Sequence, residues 1–316
     1  MHKTGYAIDN VTDPQHVARY SENIASRIYT CLATLPVYLK LILWPSGLHM
    51  ERVFPVFDDL LNVQVLAGGA MALFAAWQIV WGRARRGLSV TFGILWFAAA
   101  QSPNTGIVIP INAFISEHWM YLPTMGVFLG AMEAVVHLAQ KYPHGKNIAL
   151  VFCLAAALAL GIVTHVQNKV WRSSESFYEN IFQNGGRSYR AHLNLGIYYA
   201  QTKDFSKAAA HFRAAIDDSV TRPPAAKVKL HLYLAASLLG AGPDESGGML
   251  LGTVAEALPS STRIPEAAGV LGKALEISPG NPWAHRMLAM IYDYQGDRES
   301  ADFHLSAAQE SERTQR

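Results

Sequence analysis

Cysteine is nearly missing from this chain: Cys31 and Cys153 are the only two in 316 residues, and both sit inside apolar runs. That argues against a disulfide framework and for free thiols in apolar surroundings. Net charge is scarce too, at +2, and no basic patch is interleaved with aromatics, which argues against a nucleic-acid partner. The first 23 residues are polar, and the first apolar run comes too late and is too long for a cleavable signal peptide. Nucleotide loops, zinc-ligand spacings, nucleophile elbows and catalytic triads are also missing. The sequence therefore assigns no metal ligands, no resident cofactor and no catalytic residue.

Long apolar runs are abundant, and they set the organisation of the first half. A membrane-crossing helix needs about 20 apolar residues, because each residue rises ~1.5 Å through a hydrocarbon layer ~30 Å thick. Residues 24–44, 63–82, 119–140 and 147–167 meet this requirement. The second run has no charge, and its Gly68 and Ala72 have the small-xxx-small spacing that permits close helix packing. A fifth run, 88–101, is short and leads into 102–118, which is broken by Pro103, Gly106 and Pro110. Irregular backbone survives at membrane depth only when packed in protein or lining a wet cavity. The alternative for 102–118 is a membrane-surface loop after a short tilted helix.

Loop charges orient these runs. GRARRG at 82–87 and QKYPHGKN at 140–147 are basic, so both are expected on the cytoplasmic side. Loops 45–62 and 102–118, and everything after residue 167, then lie outside the cytoplasm. The expectation is an integral protein of a bacterial inner membrane, in contact with lipid, with its last part in the periplasm.

The second half, 168–316, is charged and repetitive, so the chain reads as all-α: about five crossings followed by a helical-repeat domain. The tetratricopeptide repeat (TPR) has a period of about 34 residues, with large and small residues at fixed places in two paired helices. Residues 189–222 place Leu195, Gly196, Tyr199, Ala208, Phe212 and Ala215 in that register. Residues 282–315 do the same with Leu288, Ala289, Tyr292, Ala301, Leu305 and Ala308. A middle repeat, 226–279, is split by the insertion AGPDESGGMLLGTVAEALPSSTR. Such arrays present a concave face to peptides or partner proteins. Asn194, Tyr198 and His231 are the candidate contributors, against the alternative that each is ordinary helix surface.

Ionisable clusters near the apolar runs are the remaining chemical candidates. Glu117 and His118 in ISEHWMYLPTMG precede the fourth run, beside Trp119 and Tyr121. They are either a site for a hydroxyl acceptor or phosphate-linked headgroup, or the polar collar where a helix enters the membrane. His49, Glu51 and Arg52 follow the first run, with Glu51 and Arg52 placed to pair locally. Glu133 and His137 stand four apart within the fourth run, where mutual pairing is the expected role. Lys40 is placed to snorkel to the outer interface.

Three stretches then occur in a recognisable order: YLKLILWPSGL at 38–48, NAFISEHWMYLPTMGVFLGA at 112–131, and NKVWRSSESFYENIFQNGG at 168–186. Over about 24–316 the chain resembles the C-terminal half of the transmembrane and TPR repeat-containing proteins and their bacterial relatives. That resemblance implies a GT-C-type glycosyltransferase moving a sugar from a polyprenyl-phosphate carrier to a protein hydroxyl, with the TPRs binding the acceptor protein. It implies Glu117 as the acid before YLP, with His118 where the family commonly has arginine; Tyr121, Glu51 and Arg52 join them as substrate-binding candidates from their own clusters, against the alternatives of an interface anchor and a local ion pair. The family's catalytic acid lies in a first extracytoplasmic loop for which this sequence shows no counterpart, so the catalytic half is expected elsewhere. The non-enzymatic alternative is a membrane-anchored TPR scaffold that gathers proteins of the cell envelope.

Overall fold

The computed structural model describes residues 20–50, 52, 54–82, 88–111, 113–186, 189–219, 222–243 and 251–314. Every extended element among them is helical, and they divide into two compact units at residues 186/187. The expected boundary at 167/168 thus moves: the helix that follows it packs with the first unit.

The first unit holds α1 (Ile24–Leu43), α2 (Val63–Trp77, continued by a π turn to Gly82), α3 (Leu88–Gln101), α4 (Pro123–Lys141), α5 (Gly145–Gln167) and α6 (Ser174–Gln183). Three helical stretches are long and apolar enough to cross a membrane: Ile24–Leu43, Val63–Trp81 and Gly145–Arg172. Large apolar side chains stand exposed along them, among them Leu73, Val151 and Leu158, consistent with a membrane protein. Helix α3 has 14 residues, short of a full crossing. Helix α4 starts at Pro123 rather than 119, because residues 117–120 form a separate 3-10 turn.

Helix α1 begins at Asn23, whose side chain accepts the Ala25 amide. Its buried stripe Ser26, Thr30, Ala33, Thr34 and Tyr38 recurs at helical spacing and is unusually polar. The polar atoms serve the irregular segments packed beside it. The Ser26 hydroxyl donates to Asp58 at 2.6 Å, and the Phe57 amide donates to Thr30 Oγ1 at 3.0 Å. The Ser116 amide donates to the Tyr38 hydroxyl at 3.3 Å, and Arg27 donates to the carbonyls of Ile107 and Val108. All but the Ser26–Asp58 bond satisfy backbone groups that have no helix of their own. An aromatic core of Tyr20, Phe54, Phe57 and Phe114 fills the space between, with Tyr20 and Phe114 edge to face at 4.8 Å.

Small residues set the helix spacing. A Cβ on Gly68 would stand 1.8 Å from the Leu32 carbonyl oxygen, so α2 and α1 meet backbone to backbone there. Ala72, its expected companion, is exposed. Gly93 of α3 and Gly126 of α4 also meet backbone to backbone, an added Cβ on either standing 2.4 or 2.3 Å from the other's carbonyl oxygen, and Trp96 Nε1 donates to the Leu122 carbonyl beside them.

The second unit is a series of paired helices: α7 (Tyr189–Gln201), α8 (Phe205–Asp217), α9 (Pro224–Leu239), α10 (Leu251–Ala257), α11 (Ile264–Ile277), α12 (Pro282–Gln295) and α13 (Arg298–Thr314). α7 packs on α8, α8 on α9, α9 on α11, α11 on α12, and α12 on α13. The short α10 lies in the insertion, with Val254 and Leu258 buried. Leu195, Tyr199, Ala208, Phe212, Ala215, Leu288, Ala289, Ala301 and Ala308 are all buried. Gly196 makes room for the Phe212 ring, which a Cβ would meet at 2.6 Å. Leu305 departs from the expected register and is exposed.

Candidate functional site

In the first unit, the chain leaving α1, the turn before α4, and the end of α5 with α6 come together. Glu117 lies in the 3-10 turn 117–120, and its Oε1 accepts from Arg52 Nη2 at 2.6 Å and from the His49 amide at 2.9 Å. Arg52 also donates to the Gly47 carbonyl at 2.7 Å. One carboxylate therefore fastens loop 47–52 through a charge-assisted bond and a backbone amide. Its partner Arg52 stands 65 positions away in the sequence.

The loop is held from its other side as well. The Leu48 carbonyl accepts from Gln167 Nε2 at 3.1 Å and from Asn180 Nδ2 at 2.8 Å, which uses both of its lone pairs. Asn180 Oδ1 in turn accepts from Asn184. Helix α6 is fixed at its start by a Ser173–Ser176 capping box. Gly47 has φ +60, a left-handed conformation that costs glycine little, and it turns the chain between these anchors.

A cavity of about 70 Å³ opens here, lined by His49, Glu117, His118, Gln167, Trp171 and Asn180 with apolar neighbours including Phe177. Trp171 and Phe177 form one aromatic wall, with ring centroids 4.9 Å apart. The volume is several times the ~10–15 Å³ that a single water needs, so a small polar group fits.

His49 is 6% exposed, and its Nδ1 lies 2.8 Å from the Gly47 carbonyl. A carbonyl can only accept, so Nδ1 carries the proton and Nε2 a lone pair. Burial pulls the His49 pKa down. The Gly47 bond opposes this, Arg52 adds to the depression, and Glu117 counters it. The ring is therefore neutral at pH 7.

The other sequence candidates are placed as follows. His118 is exposed, with its Nδ1 3.2 Å from the buried Ser116 hydroxyl and its ring edge-on to Trp119. Tyr121 is 75% exposed and does not line the cavity. Glu51 lies outside the described residues. Glu133 and His137 are not hydrogen-bonded to each other. Glu133 Oε2 is buried with no partner among the described residues, and His137 is exposed. In the second unit, Asn194 and Tyr198 share a half-buried face of α7. His231 is instead buried, its Nδ1 bonded to the Lys227 carbonyl of its own helix at 2.8 Å, so it offers little ring to a ligand.

Two histidine pairs escaped the sequence reading. His192 and His211 approach Nδ1 to Nδ1 at 3.1 Å, and His285 and His304 at 2.8 Å. Tyr199 stacks on His211 and Tyr292 on His304, each at 5.5 Å. The signal was available: both pairs are 19 residues apart, and each tyrosine follows the first histidine by seven. Among the described residues, no group of three or more His, Cys, Asp or Glu is arranged to hold a metal ion. No protein-family model and no curated protein matches the chain.

Proposed function

We propose that this chain is a membrane-embedded module of a GT-C-type glycosyltransferase, acting with a polyprenyl-phosphate sugar donor and a protein acceptor. The observation that carries the reading is the Glu117 site. A carboxylate in the position the family resemblance singles out is held by Arg52 and His49 beside a cavity with aromatic and polar walls. In this reading α3 with 102–118, and α4, complete five crossings. The cavity then opens outside the cytoplasm, on the periplasmic side of a bacterial inner membrane. The paired helices of the second unit serve as TPRs that hold the acceptor, with Asn194 and Tyr198 on the contacting face.

The test is sugar transfer by the chain co-reconstituted with the N-terminal catalytic half of the family. Glu117→Gln should lower transfer at least tenfold, and transfer equal to wild type overturns the site. Orientation is checked separately by a reporter active only outside the cytoplasm, fused after Gly186; an inactive fusion reverses the topology.

The self-contained core of the second unit favours one further reading, a membrane-anchored TPR scaffold. It predicts that residues 187–316 bind the same envelope proteins as the whole chain. Binding that needs the membrane half counts against it.

A further inference from the structure

We propose that the cavity beside His49 is a subsite for an uncharged hydroxyl group, whose proton is donated to His49 Nε2, and that it does not take phosphate. The assignment rests on the functional reading above, which treats this cavity as a ligand site, and it narrows that reading to one chemistry.

Among the described residues no lysine or arginine lines the cavity, and Arg52, which holds Glu117, is occupied by that carboxylate and by the Gly47 carbonyl. The amide groups of Gln167 and Asn180 each direct an N–H to the Leu48 carbonyl, which also fixes which end of each amide is oxygen. What remains is mixed: the second N–H of each amide and the Trp171 indole N–H can still donate, and three acceptors stand beside them. Among the described residues, His49 Nε2, Glu117 Oε2 and Gln167 Oε1 have no hydrogen-bond partner. The Gly47 bond places the neutral ring's proton on Nδ1, which leaves Nε2 as its lone pair.

A phosphate brings only acceptors and negative charge at neutral pH. Here it would meet a carboxylate and two further lone pairs, with no lysine or arginine in the lining to compensate. An alcohol brings both a donor for these lone pairs and an acceptor for the remaining N–H groups, and its carbon can rest against Trp171 and Phe177. Depression of the His49 pKa keeps Nε2 unprotonated through neutral pH, as an acceptor must be. Two sources can supply such a group: a sugar hydroxyl, or the side chain of a serine or threonine in an acceptor protein.

The experiment is saturation-transfer difference NMR on the full chain in phosphatidylcholine nanodiscs. The probes are methyl α-D-glucopyranoside, N-acetyl-threonine methylamide and inorganic phosphate. At least one alcohol is expected to receive saturation, and phosphate, which has no C–H proton to report and enters as a competitor, does not displace that alcohol. A response from the glucoside alone identifies a sugar hydroxyl, and one from the threonine derivative alone identifies a protein side chain. His49→Asn, which places an amide near the position of Nδ1 and removes the distal acceptor, should cut the signal at least fivefold. His49→Gln, which extends an amide oxygen toward the position of Nε2, should restore part of it. Competition by phosphate in the wild-type chain needs no variant, and it overturns the proposal even if both variants fail to fold. So does an alcohol signal unchanged in a folded His49→Asn, or no alcohol signal at all. Sugar transfer without alcohol binding at His49 removes this subsite and leaves the functional reading. Alcohol binding without transfer removes the functional reading and leaves the subsite.

Discussion

Cutting the Arg52–Glu117 link should release loop 47–52. The side chains are 19% and 24% exposed, so the pair lies between two regimes. Freely exposed ion pairs contribute about 0.2–1 kcal/mol, and breaking a fully buried pair costs about 3–5 kcal/mol. Hydrogen bonds to charged groups contribute about 1.5–3 kcal/mol each. Glu117 keeps its bond from the His49 amide when Arg52 is replaced, so a coupling of about 2 kcal/mol is expected for the pair. Arg52→Met, Glu117→Gln and the double variant form the cycle that isolates it, since contacts Arg52 makes elsewhere cancel. The assay is hydrogen exchange followed by mass spectrometry on peptides spanning 44–52, in detergent or nanodiscs. A loss of about 2 kcal/mol speeds exchange at the His49 amide roughly 30-fold. A coupling below about 0.5 kcal/mol would mean a solvated surface pair. The clamp would then fail as the device that shapes the cavity.

Two further outcomes follow from other parts of the molecule. Gly93→Val drives a branched side chain into the Gly126 carbonyl and should cost about 1–3 kcal/mol of overpacking, read as a lower melting temperature in detergent; Gly69→Ala, which meets nothing within 4 Å in the interior of α2, is the control and should hold or raise it. Burial first, and then the neighbouring His285, lower the His304 pKa from its ordinary value. The unfolded chain therefore binds that proton more readily, and stability contributed by neutral His304 should fall as pH drops below about 6.5. Hydrogen exchange of residues 282–314, corrected for intrinsic rates, should show protection lost between pH 7.5 and 5.5. His304→Phe should flatten that dependence, and an unaltered profile refutes the assignment.

Helical period was easy to read because it is local. The spacing that put Leu195, Phe212 and Ala308 in register depends only on residues a few turns apart, and those side chains are buried. Gly68 was legible for the same reason: only a residue without a side chain lets two backbones meet there. The fourth apolar run was misjudged at its start, since Pro123 favours the first turn of a helix and the four residues from Glu117 take a tighter 3-10 turn. At the site, Glu117 was singled out, but its partner was not. A carboxylate and a guanidinium 65 positions apart meet only after two irregular segments have packed along α1. No short-range pattern encodes that path. The Glu133–His137 pairing expected from spacing alone is not formed, because i,i+4 proximity permits a bond without requiring one. His49 was visible as a neighbour of Arg52, while its tautomer depends on the turn at Gly47.

The doubly accepted Leu48 carbonyl has a mechanical consequence. Gln167 ends the long helix α5 and Asn180 sits near the end of α6, so one backbone oxygen is moored to both. Tension entering the chain at Gly186 would travel down α6 and reach the loop carrying His49 through the Asn180 hydrogen bond, while Gln167 holds the same oxygen to α5. A load on that end of the chain would thus widen or narrow the opening beside Trp171 before it bent a single helix.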